Sequence, residues 1–465
     1  MYTITVNYYF INKEDFIEVY IIFMRYIIII IIIIIIYMEL NENSFCNYNN
    51  LEFCYICNNK NLNEIFSYND FALAGGFLDK NDISCEKYYP MTLLYCDNCK
   101  LGYIKEIVKN DLLFKTINTN NSYFYYSSQI PFLVRHFNEL SNYICNNYPS
   151  KKKLLEIGCN DGVLLNQLIN KQSLDNKYSL FGVDPSATIK NIKNEKIVTI
   201  NDYFCDAIVD SILSKYGKMD IVVSCNCMAH IDKIHEIYEN ILRLLNDDGI
   251  LIIEVHYFKN IIDHRQFDFI YHEHMLYYNI TTFYKIAEKY NLFIEDVNKL
   301  NVHGGSIRVT MRKCNNKLLK FCDDKVLKYI QEENNISIDV FKLDTEIKIW
   351  RDSLLNIIND IKYNNKKIYG YGASGRANTI MEILGVTFDL IFDDSSSKFN
   401  KLTPKYHVLI KNSEDIYNTQ DIEYIFIFAW AYSVDIIKKH SRFLENGGKF
   451  ILVLPDIKII GINNM

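Results

Sequence analysis

The sequence predicts an α/β protein in which a small cysteine-rich module precedes two Rossmann-like units. Three observations carry this. From Lys153 onward, short apolar strands alternate with helical stretches, the pattern of a parallel sheet. A second glycine-marked strand–turn–helix opens at Lys366-Lys-Ile-Tyr-Gly-Tyr-Gly-Ala-Ser-Gly-Arg376. Ahead of both lie two C-x2-C pairs, Cys54/Cys57 and Cys96/Cys99, in a region poor in helical periodicity.

The elements follow in chain order. Residues 1–38 contain an unbroken run of isoleucine, Ile27 to Ile36, interrupted upstream by Arg25. As a membrane span, residues 19–38 reach the required length of about 20 residues, at a cost of about 2.5–3.5 kcal/mol for Arg25 near the centre. The segment lacks the small-residue cleavage site of a signal peptide. We read residues 1–38 as a low-complexity extension, with translation starting at Met38, and place the protein in the cytoplasm; membrane anchoring through 19–38 is the alternative.

Residues 50–110 form the metal module. Two C-x2-C pairs separated by a 38-residue insertion supply four thiolates on two knuckles, the donor set of a tetrahedral Zn²⁺ site. Four cysteines leave no open coordination position, so the zinc is structural; a redox pair is the rival reading. Residues 111–320 carry the first α/β unit, with strands at Lys153–Gly158, Leu180–Asp184, Met219–Cys225 and Gly249–Val255 and a helix at Val163–Ile169. Residues 321–465 begin with a charged, helix-like connector. A second unit follows, with strands at Leu390–Phe392, Tyr424–Phe428 and Lys449–Leu454.

Composition narrows the function. The 465 residues are 49% apolar with a net charge of -6, which argues against a sequence-independent grip on nucleic acid. Thirteen cysteines, mostly single in apolar segments, read as buried thiols of a reducing compartment.

The turn Glu156-x-Gly-x-Asn-Asp-Gly162 joins strand to helix. Gly158 and Gly162 let the backbone approach a ligand, Glu156 can receive a cationic group, and Asp184 can accept from ribose hydroxyls. This acid-rich version suits S-adenosylmethionine, whereas a dinucleotide needs a glycine-rich helix N-terminus for its pyrophosphate. A structural turn is the plainer reading. The segment Phe267-Asp-Phe-Ile-Tyr-His-Glu-His-Met-Leu-Tyr-Tyr278, with His303-Gly-Gly-Ser-Ile-Arg308 downstream, concentrates a phenol, imidazoles and a carboxylate suited to proton abstraction. A metal site and a polar turn with satisfied histidines are the rivals. Gly370-Tyr-Gly372-Ala-Ser-Gly375, with Asp389, Asp393 and Asp394 downstream, fits a dinucleotide fingerprint, which makes an NAD(P)-dependent oxidoreductase the enzyme alternative.

From about Cys54 to Ile460 the chain resembles the zinc-containing, S-adenosylmethionine-dependent C-methyltransferases of nucleotide-linked keto-deoxysugars. The cysteine pairs, Tyr123-x-Tyr125-x-Ser127-Ser128, the Glu156–Gly162 turn, Asn226-x-x-Ala-His230, Phe267–Tyr278, His303–Arg308, Asp393-Asp394-Ser395 and Ala429-Trp430 carry the resemblance. It implies a central class I methyltransferase domain and a cofactor-free Rossmann-like C-terminal domain that helps hold the nucleotide-sugar. It further implies His274 as the base that forms an enolate, Glu273 and Tyr271 holding and tuning it, and Tyr125 and His230 lining the sugar pocket. Glu156, Gly158, Asn160, Asp161, Gly162, Asp184 and Asn226 would bind the cofactor. Tyr123, His303, Gly372, Arg376 and Asn378 would bind substrate, and the enzyme would act as a monomer. Gly372-Ala-Ser-Gly-Arg-Ala-Asn378 departs from the family's Gly-Ala-Pro-Ala-Lys-Gly-Asn pattern. A zinc-ribbon interaction protein with an inactive methyltransferase domain is the non-enzyme alternative.

Overall fold

The computed structural model describes residues 48–114, 126–171, 178–313 and 321–464, together with Met24. Residues 50–465 form one compact unit, set apart from residues 1–49. The isoleucine run, Tyr123 and Tyr125 lie outside the described residues. Among the described residues, no helix is long and apolar enough to cross a membrane.

Within the larger unit, the cysteine module is an antiparallel sheet built on strands Asn63–Ala72, Tyr88–Cys96 and Leu101–Ile104. Pro90 lies in the middle strand, which a ladder tolerates only where its missing N–H is not needed. It sits opposite a register shift between Tyr68 and Phe71. A fourth strand, Leu276–Tyr277, comes from far along the chain and pairs with Tyr103 and Gly102.

The central sheet has seven strands: β1 (Lys153–Ile157), β2 (Ser179–Val183), β3 (Ile197–Ile200), β4 (Met219–Cys225), β5 (Leu245–His256), β6 (Leu292–Leu300) and β7 (Ser306–Lys313). Their order is 3-2-1-4-5-7-6, with β7 alone running against the others: it pairs antiparallel with both β5 and the edge strand β6. Strands buried on both faces read as continuous apolar runs, and Leu154, Leu155, Val222, Val223, Ile252 and Ile253 are all fully buried. The order reverses between β1 and β4. The turns that leave these strands, Gly158–Gly162 and Asn226–His230, therefore diverge and open a crevice at the carboxyl ends.

The second sheet contains β8 (Ile368–Tyr371), β9 (Leu390–Asp393), β10 (Ile410–Asn412), β11 (Tyr424–Ile427), β12 (Lys449–Leu452) and β13 (Lys458–Ile460), ordered 10-9-8-11-12-13. Only β13 runs antiparallel. The charged connector consists of helices Asp324–Glu332, Ile336–Val340 and Leu343–Tyr363. The last buries Leu343, Ile347, Trp350, Leu354, Ile358 and Ile361, one stripe at helical spacing. The Trp350 indole also donates to the Val453 carbonyl at 2.7 Å.

Two apolar clusters bind these parts together. One joins Leu101 and Tyr103 of the module to β4, β5 and the helix Ile280–Tyr290. The other joins Phe66 and Met91 of the module, through Phe258 and Phe267, to Trp350 and the core of the second sheet. The module is thus packed against both Rossmann-like sheets.

Candidate active site

The four module cysteines converge. Their sulfurs lie within 4.8 Å of one another, with Cys54–Cys99 at 3.3 Å and Cys57–Cys96 at 3.5 Å. A tetrahedral site with Zn–S bonds of about 2.3 Å fits four thiols at this spacing. Each pair ends on a residue in the left-handed region, Asn58 (φ 56°) and Lys100 (φ 57°), which closes the knuckle. Thr282 Oγ1 and Asn279 Nδ2 donate to the carbonyls of Cys99 and Lys100 at 2.8 and 2.6 Å, tying the second knuckle to the start of helix Ile280–Tyr290.

A cavity of about 700 Å³ lies between the crevice of the central sheet, the module and the second sheet. Glu156, Gly158, Asn160, Asp184 and Asn226 line one end. Gly158 (φ 74°) passes so close to Cys227 that a Cβ would sit 2.6 Å from its sulfur. Asp184 accepts from Asn160 N at 2.9 Å and Ser186 N at 2.8 Å, which fixes its carboxylate at the strand end. Glu156 is 2% exposed and, among the described residues, its Oε2 has no hydrogen-bond partner. Burial, then the charges of Asp184 and Asp161, push its carboxyl well above the ordinary range. An orphaned buried oxygen among three acids is a cradle for a cationic group, as the ammonium and sulfonium of S-adenosylmethionine require. Asp161 and Gly162 stand behind this wall. Asp161 accepts from Ser128 N at 3.1 Å, and Gly162 (φ 76°) caps helix Val163–Asn170 where a Cβ would meet Ile192 at 2.7 Å.

Histidines crowd the middle of the cavity. The His274 ring lies 5.0 Å from His230 and 5.3 Å from His256, and His256 lies 5.4 Å from His303. His274 Nδ1 donates to the Phe269 carbonyl at 2.8 Å, which leaves its acceptor lone pair on Nε2, 3.1 Å from the Tyr271 hydroxyl. Burial, the adjacent His230 and the Arg376 charge hold His274 well below the usual imidazole range, so it is neutral at neutral pH. His230 Nδ1 donates to the Glu273 backbone carbonyl at 2.5 Å. His303 (φ 53°) stands in a turn whose Gly305 has no room for a side chain: a Cβ would lie 2.0 Å from Asn260 Nδ2.

Two expectations about this segment need correction. Glu273 does not hold the His274 ring. Its side chain turns to the module, where Oε1 accepts from Gly75 N at 2.6 Å, because the tight turn 271–274 sends neighbouring side chains apart. His272 likewise leaves the site, wedged by Phe71 and Tyr89 and donating to the Pro90 carbonyl at 2.9 Å.

The far end of the cavity belongs to the second sheet. Arg376 is held by Asp268 at 2.8 Å and lies between Phe269 and Trp430, 3.9 and 4.5 Å from their rings. Gly372 and Asn378 are not among the lining residues. Gly372 N donates to Phe392 O, and a Cβ there would strike Ala429 at 2.6 Å; Asn378 Nδ2 clamps the Ala74 carbonyl at 2.5 Å. The acids that would read ribose in a dinucleotide site are engaged: Asp393 by Lys398 and Ser395, Asp394 by Lys439 and Tyr371, and Asp389 by the Ile368 amide. Reasoning from sequence passed over His256, Phe269 and Lys398, all of which line the cavity. His256 ends a parallel strand, and that position was the available signal.

Three family models match in series: a zinc binding domain over residues 54–114, a methyltransferase domain over 129–297, and a C-methyltransferase C-terminal domain over 301–455. The C-methyltransferase NovU of Streptomyces niveus is 26% identical over 422 residues, 88% of this chain and 96% of that protein. Among solved structures, the plantazolicin methyltransferase BpumL in complex with S-adenosylhomocysteine is 13% identical, with a TM-score of 0.32, over 40% of this chain and 86% of that one. An O-methyltransferase family protein from Burkholderia thailandensis is 11% identical, with a TM-score of 0.31, over 40% and 58%. With four converging cysteines, an acidic crevice and domains matched in series from residue 54 to residue 455, the chain has the make-up of an S-adenosylmethionine-dependent C-methyltransferase with a zinc-binding module.

Proposed function

We propose that the enzyme, acting as a monomer, methylates the carbon next to the keto group of a nucleotide-linked deoxysugar, through an enolate. The observation that carries this is the placement of neutral His274 and Tyr271 in one cavity with the cofactor crevice and with Arg376 of the second sheet. A carbon acid beside a carbonyl needs a neutral acceptor, donors for the oxygen that gains charge, and exclusion of water. A cavity of about 700 Å³ holds a molecule larger than a free sugar beside the cofactor.

In this reading Glu156, Asn160, Asp184 and Asn226 hold S-adenosylmethionine, which supplies the methyl group. The C–H bond breaks toward His274, whose Nε2 takes the proton, and its electron pair moves to the carbonyl oxygen. Phe269 O fixes the ring's tautomer, so that Nε2 and not Nδ1 is the acceptor. Tyr271 occupies that lone pair until substrate arrives and then reorients. Arg376 and His303 contact the nucleotide-sugar, and Gly372 and Asn378 shape the wall that carries Arg376.

The test is incubation with labelled S-adenosylmethionine and a panel of nucleotide-linked keto sugars, with the product identified by mass spectrometry. Label transfer to carbon in at least one keto sugar, and to none of the matching 4-hydroxy sugars, is the expected result. Transfer to oxygen or nitrogen, or equal transfer to the hydroxy sugars, would defeat the proposal.

A further inference from the structure

The cavity wall contains an imidazole with an unmade hydrogen bond. His256 is the last residue of β5 and is 9% exposed. Its ring lies 4.2 Å from Phe269 and within 5.4 Å of both His274 and His303. Among the described residues, its Nε2 has no hydrogen-bond partner. The neighbouring rings differ: both nitrogens of His274 are engaged, and His230 Nδ1 is spent on the Glu273 carbonyl. A buried polar atom without a partner is costly, and such atoms persist where a ligand completes them.

The position suits one role. His256 ends the parallel strand β5, on the side of the sheet where the cofactor turn and His230 also emerge. Its pairing with Ser306 in the adjacent strand β7 holds the backbone, and its ring packs against Phe269. Burial and the surrounding imidazoles and Arg376 keep His256 neutral, so it carries one N–H and can donate without bringing a cation beside His274. A weak acceptor such as His274 can remove a carbon-bound proton only if the charge left behind is stabilised.

We infer that His256 is a further catalytic residue, whose Nε2–H donates to the substrate's carbonyl oxygen and strengthens that bond as the oxygen becomes an enolate. This rests on the keto-sugar reading above. The proton passes from carbon to His274 Nε2, the electron pair settles on the oxygen, and His256 keeps its own proton throughout.

The experiment compares His256→Phe, which keeps the ring and removes the donor, with His256→Gln, which restores an N–H at similar reach. Deuterium incorporation into the keto sugar is followed without a methyl donor, alongside kcat, KM and calorimetric affinity for S-adenosylhomocysteine. His256→Phe is expected to lose exchange and kcat by about 10²–10³-fold, the effect of deleting one oxyanion donor. Cofactor affinity and KM should stay within about threefold, and His256→Gln should recover much of the loss. Exchange at the wild-type rate in His256→Phe overturns the role, as does an equal loss in both variants with cofactor binding intact, which marks a packing residue. A wild type that exchanges no proton in any keto sugar defeats the underlying reading instead.

Discussion

The Tyr271 hydroxyl lies 3.1 Å from Nε2 of His274, whose other nitrogen is committed to the Phe269 carbonyl. The acceptor lone pair of the imidazole is thereby capped by a phenol, which substrate displaces in the proposed reaction. His274→Asn should retain S-adenosylhomocysteine affinity yet abolish both methyl transfer and proton exchange. Tyr271→Phe should uncap the ring and lower kcat by about tenfold or less, through lost orientation. Wild-type exchange in His274→Asn would move the acceptor role to another imidazole.

The pH dependence of this dyad has a definite sign. The acceptor works only when unprotonated, and burial, with the adjacent His230 and His303, lowers the His274 pKa below 6.5. The rate should therefore be flat through neutrality and fall only on the acid side of that value. A rising limb centred at or above 6.5 in the kcat profile would contradict the buried environment.

Glu156 offers a calorimetric test. Its carboxyl is pushed up by burial and by Asp184 and Asp161, so it holds a proton when no cation is present. Binding of S-adenosylmethionine should release that proton. The apparent binding enthalpy near neutral pH should then vary with the buffer's ionisation enthalpy, and the variation should vanish in Glu156→Gln. Asp184→Ala should weaken binding more, because it also frees the amide of Asn160.

Behind the cofactor crevice, Glu254 is fully buried and accepts from His136 Nε2 and Arg308 Nε, both at 2.6 Å. Burial alone would raise its pKa, but the His136 bond and the Arg308 charge outweigh burial and lower it. Its stabilising contribution is therefore complete above the unfolded-state value of about 4.3 and is lost as pH falls through the lower folded value. Glu254→Gln leaves Arg308 buried without its counter-charge and should cost about 3–5 kcal/mol in urea unfolding at pH 7. A loss below about 1 kcal/mol would mean that water reaches Arg308.

Metal removal should act on the reaction as well as on the fold. Zinc analysis should return about one ion per chain, lost in Cys96→Ser, with a lower melting temperature. His274 lies two residues before Leu276, which pairs with Tyr103 of the metal module, so activity should fall in step with metal content. A metal-free variant that keeps its melting temperature would refute the structural site.

Much of this architecture is legible in the sequence because its signals are local. Apolar runs such as Leu154–Ile157 and Ile221–Val223 mark buried parallel strands, and the paired cysteines announce the metal. The site is legible only in part, because its geometry is tertiary. Glu273 is adjacent to His274 in the chain, yet its carboxylate faces Gly75. Arg376 is oriented by Asp268, and Asn378 is spent on the Ala74 carbonyl. No periodicity encodes these pairings. His256 is not legible in the sequence because a histidine closing an apolar strand looks like the strand's polar end, whereas its value lies in a hydrogen bond that none of its described tertiary neighbours makes.

The clamp between Asn378 and Ala74 spans 304 positions, and the bond from Asn279 to Lys100 spans 179. Closures of that length are entropically expensive and come late in folding, after the local helices and strands exist. During synthesis, the Ala74 carbonyl lacks this partner until residue 378 is made, although Glu273 can already hold Gly75 and Leu276 can already pair with Tyr103. A chain released before residue 378 would hold every proposed proton-transfer side chain without the clamp that ties Ala74, beside Gly75, to the second sheet.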